Sequence, residues 1–559
     1  MTASYQLHHR ERISSNQLNC LAPKDPMDAA MRQTQTSDVF RNYQIPPQFL
    51  DEVFNAPGQV HPHYENVYRQ FLEFSKEEFK ELNEHAKMSF FNQGITFSVY
   101  SDKAKGVERI FPFDLFPRII PATEWARVEE GILQRCVAMN LFIQDIYSKQ
   151  HILRDKVVPA ELIFSSKNYL KAMLDIKPVG GIYNHISGTD LIKHSDGEYY
   201  VLEDNLRCPS GISYVLSNRV AMKRTLFQMV RQFNVRTVQE YPQELLATMQ
   251  SVSPHGIDAP NCVVLTPGVY NSAYYEHAFL ALTMGVPLVE GRDLYVERSF
   301  VYMKTINGPK RVDVVYRRLD DDFLDPMAFK PDSLLGVPGI MAAYKKGNVN
   351  LINAPGTGFA DDKAVYTYVP EIIKYYLNQE PILNNVHTYR CEKEDDFKYV
   401  LENMANLVIK PVDESGGYGI LIGNKATQEE LKEFKTLISE NRRKYIAQPI
   451  MDLSMHATFI EGEDQFEPRH VDLRTFTLLG KDRQFVLKGG LSRVALKKGS
   501  LIVNSSQGGG SKDTWVMMDD GSNNASMQQN GSMSQSMTMN GQTMTMGPEG
   551  MSMAKPGAE

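Results

Sequence analysis

The sequence predicts an α/β protein of mixed α+β type, because helical and strand-like segments alternate through its central part. Short segments that are rich in β-branched residues and bounded by glycine or proline predict the strands. A long segment with apolar residues at four-residue spacing predicts a helix. Near the C-terminus, strand-like segments follow one another without an intervening helix, which predicts antiparallel pairing there.

Each of these elements has a local signal in the sequence. Leu133, Val137 and Leu141 share one face of a helix that is predicted over residues 123–147, with Thr123 as its N-cap. Strands are predicted over residues 199–204, 262–267, 312–318, 407–412, 445–450 and 470–479.

Charge and composition disfavour several classes of function. A net charge of -7 and a pI of about 6.1 give no general attraction for nucleic acid or for an anionic membrane, so neither partner is expected. The 5 cysteines are widely spaced without a C-x-x-C pair, which is typical of reduced thiols rather than of a zinc site. Because the sequence has neither a secretory signal nor a long apolar run, we expect a soluble cytoplasmic protein.

Both ends of the chain are predicted to lie outside the folded part. Residues 1–45 are polar and weakly periodic, which predicts a flexible arm. Residues 516–559 form a Met/Ser/Gln/Gly-rich tract without a core-forming pattern, which predicts a disordered tail. Its methionines would suit a soft metal such as Cu(I), but no His or Cys cluster accompanies them, and a solvated tail is favoured.

The segment LVIKPVDESGGYGI, residues 407–420, carries the most informative pattern. A predicted strand leads to Lys410 and then into a loop with Gly416, Gly417 and Gly419. Glycine lets the main chain approach an anion closely, and lysine supplies a compact positive charge. The segment is neither a Walker loop nor a Rossmann fingerprint. Either a phosphate site or a plain β-turn fits it.

Two further segments carry candidate nucleotide contacts. Lys363 follows Asp361 and Asp362 in ADDKAVY, before a predicted helix, where a solvated charge cluster is the alternative interpretation. Gln448 in YIAQPI offers both a donor and an acceptor, which suits the edge of an adenine. An ordinary half-buried strand accounts for Gln448 equally well.

A candidate magnesium site follows from YYVLEDNLRCPSG, residues 199–211. Alternation along the strand places Glu203 and Asn205 on one face, and Asp190 on the preceding hairpin strand is the candidate third ligand. Magnesium takes a few protein oxygens and completes its octahedron with water and phosphate. The alternative is that the acidic residues only cap a strand.

Arg474 and Arg493 lie on strand-like segments close to the Gly-rich stretch SSQGGGSK. The planar guanidinium matches phosphate or carboxylate oxygens bidentately, so both side chains are candidates for holding a phosphoryl group or a substrate acid. Surface pairing with Asp472 is the alternative. The Gly-rich stretch fits either an anion nest or a flexible linker.

Together these segments resemble the ATP-grasp superfamily, and more closely its circularly permuted branch with glutathionylspermidine-synthase-like proteins. The resemblance covers most of residues 90–515. It is carried by FDLFPRIIPATEWARVEEGILQR, HISGTDLIKHSDGEYYVLEDNLRCPSG, NAPGTGFADDKAVYTYVPEII and VNSSQGGGSKDTWV, which are similar to the bacterial circularly permuted ATP-grasp type 2 family.

The resemblance implies ATP and Mg2+ as cofactors and gives the candidate residues roles. Lys363 and Lys410 would contact the phosphates, and Gln448 would lie at the adenine hinge. The metal ligands would be Asp190, Glu203 and Asn205. The metal motif precedes both lysines in this chain, whereas it follows them in ordinary ATP-grasp enzymes, as expected of a permuted fold.

The resemblance also implies a division of the chain, with a pre-ATP-grasp-like α/β domain beside the permuted core. The implied units are a flexible arm (1–45), the N-terminal permuted part of the core with the metal motif (46–260), an α/β substrate or pre-ATP-grasp-like domain (261–355), the lid with the remaining core (356–515) and the tail (516–559).

The implied activity is that of an ATP-dependent carboxylate–amine ligase of peptide type. Such enzymes transfer the γ-phosphate to a carboxylate, and an amine attacks the resulting acylphosphate. The expected partners are a small-molecule or peptide carboxylate and an amine acceptor. Arg474 and Arg493 would stabilise the transferred phosphoryl group. A small-molecule kinase and a non-catalytic nucleotide-binding protein of the same fold are the alternatives.

Overall fold

The computed structural model describes residues 39–101, 104–413, 419–504 and 508–518, together with four short strands between residues 537 and 551. The strands are β1 Phe54–Ala56, β2 Gln59–Val60, β3 Thr96–Ser101, β4 Ala104–Ile110, β5 Phe113–Ile120, β6 Ile186–Lys193, β7 Tyr199–Asn205, β8 Cys262–Leu265, β9 Leu288–Val289, β10 Leu294–Glu297, β11 Phe300–Met303, β12 Lys310–Val312, β13 Val314–Arg317, β14 Asn350–Ile352, β15 Asn384–Asn385, β16 Tyr389–Arg390, β17 Leu407–Pro411, β18 Leu421–Ile422, β19 Tyr445–Pro449, β20 Met455–Ile460, β21 Gln465–Leu479, β22 Gln484–Val486, β23 Leu491–Val494, β24 Gly510–Val516, β25 Met537–Met539, β26 Gln542–Met544, β27 Met546–Gly547 and β28 Gly550–Met551.

The α-helices alternate with these strands. They are α1 Glu65–Leu72, α2 Lys76–Asn92, α3 Ala122–Ile146, α4 His151–Arg154, α5 Ala160–Phe164, α6 Ile212–Thr225, α7 Phe227–Gln232, α8 Tyr241–Ser251, α9 Tyr274–Met284, α10 Asp321–Leu324, α11 Ile340–Lys345, α12 Lys363–Tyr366, α13 Val369–Leu377, α14 Glu394–Asn403 and α15 Gln428–Glu440. Short 3-10 turns at 62–64, 171–173, 179–181, 254–256, 291–293, 357–361, 404–406, 423–425 and 442–444 complete the regular elements.

A nine-stranded sheet forms the centre of the fold. Its strand order is β15-β7-β6-β21-β23-β24-β5, and β20 and β22 pair with the long strand β21. β15 runs parallel to β7 and β24 runs parallel to β5, whereas the other neighbours are antiparallel. The antiparallel pairing predicted near the C-terminus is therefore confirmed. One sheet joins early and late parts of the chain, as the permuted fold requires.

Two smaller sheets are formed by segments that lie between strands of the central sheet in the sequence. A parallel sheet of order β14-β13-β8-β9 packs against α8 and α9 and comes from the segment that the sequence divided off at 261–355. An antiparallel sheet of order β16-β19-β17-β18 carries α14 and α15 and will be called the lid sheet. Whether the predicted ranges are independent units stays a prediction.

The local predictions of structure are confirmed with one exception. All six predicted strands occur, as β7, β8, β13, β17, β19 and β21, and the predicted long helix is α3. The expected N-cap at Thr123 is wrong, because the helix begins at Ala122 and Pro121 is its N-cap, without a side-chain hydrogen bond. Proline has the extended backbone that the cap position needs, and Thr123 lies inside the first turn.

The last part of the predicted arm packs against the folded chain. Val39 and Phe40 are buried, and the ring of Phe40 stacks on Phe466 with centroids 4.3 Å apart. Aromatic packing thus orders residues 39–45 against β21, while residues 1–38 lie outside the described part of the chain. In the predicted tail, β25 pairs with β26 and β27 with β28. Residues 519–536 and 552–559 lie outside the described residues, so tail disorder stays a prediction.

The described part of the chain contains four of the five cysteines. Cys136, Cys208, Cys262 and Cys391 are free thiols, and Cys20 lies outside the described residues. Across the described ranges, no helix combines the length and the apolar character needed to cross a bilayer.

A buried ion pair ties the N-terminal segment to the central sheet. Arg118 of β5 donates to both carboxylate oxygens of Glu52, at 2.8 and 2.6 Å, and to the backbone carbonyl of Asp472 on β21. The two side chains are 0% and 5% exposed. Burial would raise the pKa of Glu52, but Arg118 lowers it to about 2.

Arg118→Met is expected to destabilise the fold by about 3–5 kcal/mol, because it leaves the Glu52 carboxylate buried without its partner. Since the folded-state pKa lies below the ordinary value of 4.5, the stability from this carboxylate is present above that pH and is lost as the pH falls towards 2. Denaturant unfolding measures both effects. Arg127→Met, which removes an exposed pair with Glu198, is the control and should change stability by less than about 1 kcal/mol.

Candidate active site

A cleft lies between the lid sheet and one face of the central sheet. Its walls include apolar side chains of both sheets, which suit a planar ring. Six of the side chains predicted from sequence line this one cleft: Asp190, Glu203, Lys363, Lys410, Gln448 and Arg493.

Lys410 and Gln448 approach the cleft from neighbouring strands of the lid sheet. Antiparallel pairing of β17 with β19 sets Val408 opposite Gln448, so Lys410 and Gln448 are diagonal neighbours on one face. The Nζ of Lys410 donates to Oε1 of Gln448 at 2.6 Å, and Nε2 of Gln448 donates to Thr388 at 2.9 Å. Leu407 and Ile409 point to the opposite face and pack in the lid core, which fixes Lys410 towards the cleft.

Burial lowers the pKa of Lys410 to about 8, and the charge of Lys363 acts in the same direction, while Glu203 opposes both. The two amines therefore share one cleft, at a cost to the charged form of Lys410. A bound polyanion would remove that cost by placing negative charge beside Lys410. The placement of Gln448 at an adenine hinge stays a prediction, because its amide is committed to Lys410 and Thr388.

Lys363 reaches the same cleft from the start of α12. Asp362 caps this short helix by accepting a hydrogen bond from the Ala364 amide at 2.8 Å. The backbone amide of Lys363 donates to the Val412 carbonyl, directly after β17, which brings both lysines together. The Nζ of Lys363 lies 3.4 Å from the carboxylate of Glu203.

Glu203, Asn205 and Asp190 lie on the adjacent antiparallel strands β7 and β6. Asp190 stands opposite Glu203, so the hairpin predicted for Asp190 is confirmed. The Nδ2 of Asn205 donates to the Gly188 carbonyl at 3.2 Å, which fixes the amide beside Glu203. Asn205 is not among the residues that line the cleft itself.

Two arginines hold the carboxylate of Asp190. Nε and Nη2 of Arg474 donate to its oxygens at 2.6 and 2.7 Å, and Nη2 of Arg493 donates at 2.8 Å. Burial would raise the pKa of Asp190, but Arg474 and Arg493 together hold it well below its usual range. Arg493 also donates to both oxygens of Asp472. The pairing with Asp472 considered from sequence thus belongs to Arg493, and it is buried rather than on the surface.

The oxygen donors fit a hard divalent cation in part. Glu203 is 25% exposed, and its contacts to Lys363 at 3.4 Å and Arg474 at 3.8 Å are longer than charge-assisted hydrogen bonds, so its oxygens can still bind a cation. Asp190 could bind one only by giving up an arginine contact. Over the described ranges, no group of three His, Cys, Asp or Glu side chains is arranged to hold a metal. The predicted set differs by including the Asn205 amide, and it stays a prediction.

The structure describes the glycine loop only up to Asp413 and again from Gly419. Gly416 and Gly417 lie outside the described residues, and Gly419 has a φ of +67°, which favours glycine. Asp413, the last described residue before the glycines, forms an ion pair with Lys167 at 2.8 Å. The phosphate-binding role of these glycines stays a prediction.

Sequence reasoning missed two acidic residues at this site. The sequence suggests Asp472 only as a surface partner, although alternation along β21 places it on the same face as Arg474. The sequence places Asp361 in a charge cluster, whereas in the structure it accepts a hydrogen bond from the Leu206 amide at 2.6 Å, directly after the metal motif. Burial raises the pKa of Asp361 to about 7, against the opposing charge of Arg207.

A small antiparallel lid sheet that faces a larger sheet across a cleft lined by lysines and acids defines an ATP-grasp fold. The chain belongs to the circularly permuted ATP-grasp type 2 family, whose model matches residues 117–495. The recognition of this family and of its fold from the sequence is therefore confirmed.

Three similar proteins extend the comparison. An uncharacterized protein of Synechocystis sp. is 53% identical over 84% of this chain and 98% of its own length. A Frankia alni protein named "Putative glutamate–cysteine ligase 2-3" is 38% identical over 84% of this chain, which spans 54% of that protein. A solved glutathione synthetase-like effector of Globodera pallida, in the apo form, shares the fold with a TM-score of 0.51 at 11% identity, covering 79% of this chain and 98% of that one.

Proposed function

We propose that this protein is an ATP-dependent carboxylate–amine ligase that acts through an acylphosphate. One observation carries the proposal: Lys363 and Lys410 meet Glu203 and Arg493 in a single cleft, although they lie far apart in the sequence. The family membership and the ligase name of the Frankia relative support it. That name belongs to a protein of which this chain spans 54%, so the substrates are part of the proposal.

In the first step, a carboxylate oxygen of the substrate attacks the γ-phosphorus of ATP, the bond to the β-phosphate oxygen breaks, and ADP leaves. In the second, the amine nitrogen attacks the acyl carbon, a C–N bond forms, phosphate leaves and the nitrogen loses its proton. Both steps need positioning and neutralisation of charge more than a nucleophilic side chain. Lys363 and Lys410 supply positive charge at the phosphates.

Arg493 and Arg474 stabilise the transferred phosphoryl group in this proposal, and their rigid pairing with Asp190 supports it. Guanidiniums that are already fixed need little reorganisation when negative charge develops beside them. Magnesium, when bound, would neutralise charge on the phosphate oxygens, with Glu203 and Asn205 as its main ligands and Asp190 as the third predicted one. The lid sheet would shield the acylphosphate from water.

The proposal keeps the division of the chain at residues 45, 260, 355 and 515 that the family resemblance implies. It also places the protein in the cytoplasm. The location is supported by the four free thiols of the described chain, since reduced cysteines are typical of that compartment.

The test is incubation of the purified protein with magnesium and ATP and pooled amino acids, peptides and polyamines. We expect ADP, phosphate and an amide product in equal amounts, measured by mass spectrometry and a phosphate assay. A phosphorylated product without free phosphate would indicate a kinase. Absence of any ATP turnover with every pool would favour a non-catalytic nucleotide-binding protein.

Binding of ATP above pH 8 is expected to take up a proton at Lys410. With a pKa of about 8, this amine is charged at pH 7 and largely neutral at pH 9. A phosphate beside it favours the charged form and raises that pKa. ATP affinity should therefore fall as the pH rises through 8. Titration calorimetry at pH 9 in two buffers of different ionisation enthalpy measures the proton uptake.

Lys410→Arg provides the matched control for this titration, because arginine keeps its charge at every pH used. We expect that variant to take up no proton at pH 9. Equal binding enthalpies in the two buffers for the wild-type protein would contradict the prediction.

A further inference from the structure

Two arginines of the central sheet, Arg474 of β21 and Arg493 of β23, hold the same carboxylate but differ in the donors that they keep free. Each forms charge-assisted hydrogen bonds to Asp190 of β6. The residues that line the cleft include Arg493 and not Arg474. The two guanidiniums are therefore placed differently with respect to a ligand in the cleft.

Every nitrogen of the Arg474 guanidinium has a protein acceptor. Nε and Nη2 donate to the two oxygens of Asp190 at 2.6 and 2.7 Å, and Nη1 donates to the backbone carbonyl of Ser210 at 3.2 Å. Gly188 lets the segment with this carbonyl approach the sheet, because a Cβ at Gly188 would lie only 2.8 Å from Cβ of Pro209. Arg474 is thus fixed between β6 and the segment that follows β7.

Arg493 keeps one nitrogen without a protein acceptor. Its Nε and Nη2 donate to the two oxygens of Asp472 at 2.8 and 2.5 Å, and Nη2 also donates to Asp190 at 2.8 Å. Within the described ranges of the chain, no residue accepts a hydrogen bond from Nη1 of Arg493. Because Arg493 lines the cleft, Nη1 is the part of this guanidinium that is available to a ligand there.

We propose that Arg493 contacts the transferred phosphoryl group through Nη1, and that Arg474 and Asp472 are positioning residues for Arg493. Asp472 holds the Nε edge of Arg493 directly. Arg474 acts through Asp190, whose carboxylate it fixes with two hydrogen bonds. The inference rests on the proposed ligase function and divides the role that the proposal gives to both arginines.

Asp472 fixes the direction in which Nη1 of Arg493 can donate. Two parallel hydrogen bonds to one carboxylate define the plane of a guanidinium as well as its place. Asp472 stands directly opposite Arg493 in the pairing of β21 with β23, and its side chain is 1% exposed, so the carboxylate itself has little freedom. A phosphoryl group beside Nη1 then meets a donor that needs no reorganisation as negative charge develops.

The balance of charges in this network separates direction from net charge. The two arginines and the two carboxylates, Asp190 and Asp472, carry no net formal charge together. If net charge governed the binding of an anion, removal of the Asp472 charge would strengthen it. If the direction of Nη1 governs it, the same removal weakens it.

The experiment is equilibrium dialysis of the full chain with radiolabelled inorganic phosphate, in the presence of magnesium and ADP. Arg493→Lys keeps the charge, but its single nitrogen is taken by the two carboxylates, so we expect at least about 10-fold lower phosphate affinity. Arg474→Lys can still donate to Asp190, so we expect a loss of only about 2-fold to 3-fold. Equal losses in the two lysine variants would show that charge alone matters and would overturn the inference.

Asp472→Asn provides the second measurement, in which the sign of the effect decides. We expect about 10-fold weaker phosphate binding although a negative charge has been removed. The affinity for ADP should stay within about twofold of wild type, which a general structural defect would not allow. Arg127→Lys, which alters an exposed pair with Glu198, is the control and should bind phosphate as the wild type does. Phosphate affinity in Asp472→Asn at or above the wild-type value overturns the positioning role.

Failure of this inference is distinguishable from failure of the ligase proposal. Amide formation by the wild type with equal losses in Arg493→Lys and Arg474→Lys overturns the assignment of the arginines only. Phosphate binding with the expected order of variants, but without an amide product, refutes the ligase and leaves the assignment. A wild-type protein that retains no phosphate beside ADP overturns the inference outright.

Discussion

Glu203→Ala is expected to abolish magnesium-dependent turnover of ATP, with a loss of at least about 10²-fold to 10³-fold. Glu203 is the acidic residue of the cleft whose oxygens are least committed, since its neighbours Lys363 and Arg474 lie at 3.4 and 3.8 Å. Removing it takes away the carboxylate best placed for a cation. Folding should be retained, because no short hydrogen bond depends on this partly exposed side chain within the described residues.

The measurement is ADP release at several magnesium concentrations, together with the dependence of ATP affinity on magnesium. Glu198→Ala, an exposed glutamate near the start of the same hairpin strand, is the matched control and should keep wild-type turnover. Wild-type turnover in Glu203→Ala with an unchanged magnesium dependence would refute the metal assignment. A variant that loses turnover but also melts much earlier would point to a structural role instead.

The residues that sequence reasoning identified are those with a strong local signal. Lys410 follows a continuous apolar strand and precedes glycines, and Glu203 and Asn205 end a strand in alternation, so each motif is visible within about ten residues. The order of these motifs identified the permutation. Their convergence in one cleft follows from the fold of the family rather than from any one segment.

The network around Asp190 has no such local signal. It depends on the register of β6 with β21 and of β21 with β23, which places Asp190 opposite Arg474 and Asp472 opposite Arg493. A shift by one residue would turn these side chains to the other face of the sheet. The sequence shows two arginines and two acids, but only the register decides which pairs form.

The central sheet therefore carries a row of charges beside the cleft, and all of them except Arg474 line it. Glu203, Asp190, Arg474 and Arg493 follow one another across four neighbouring strands, and Asp472 balances the last of them. The acidic end faces the two lysines, and the cationic end is held rigid by carboxylates. Such a row can bind a cation at one end and an anion at the other, which is what a metal-bound triphosphate requires.

Lys410→Met is expected to weaken ATP binding by about 10-fold to 100-fold and to leave the protein at least as stable as wild type at pH 7. The amine is buried, and the lowering of its pKa to about 8 means that the folded state disfavours its charge. Because this pKa lies below the ordinary 10.5, the penalty to stability is fully present below pH 8 and is relieved as the pH rises towards 10.5. Methionine fills similar space without a charge and removes the penalty.

Two measurements on the same variant separate binding from folding. Titration calorimetry should show the weaker ATP affinity, while thermal unfolding at pH 7 should show an equal or higher midpoint. Lys432→Met, on the exposed face of α15, should change neither. A clear fall in the unfolding midpoint of Lys410→Met would mean that the amine stabilises the lid through Gln448, whereas unchanged affinity would place the phosphates elsewhere. Weaker ATP binding with undiminished stability is expected if the charge of Lys410 serves a ligand. If Lys410 served the fold, its substitution would lower the ATP affinity and the stability together.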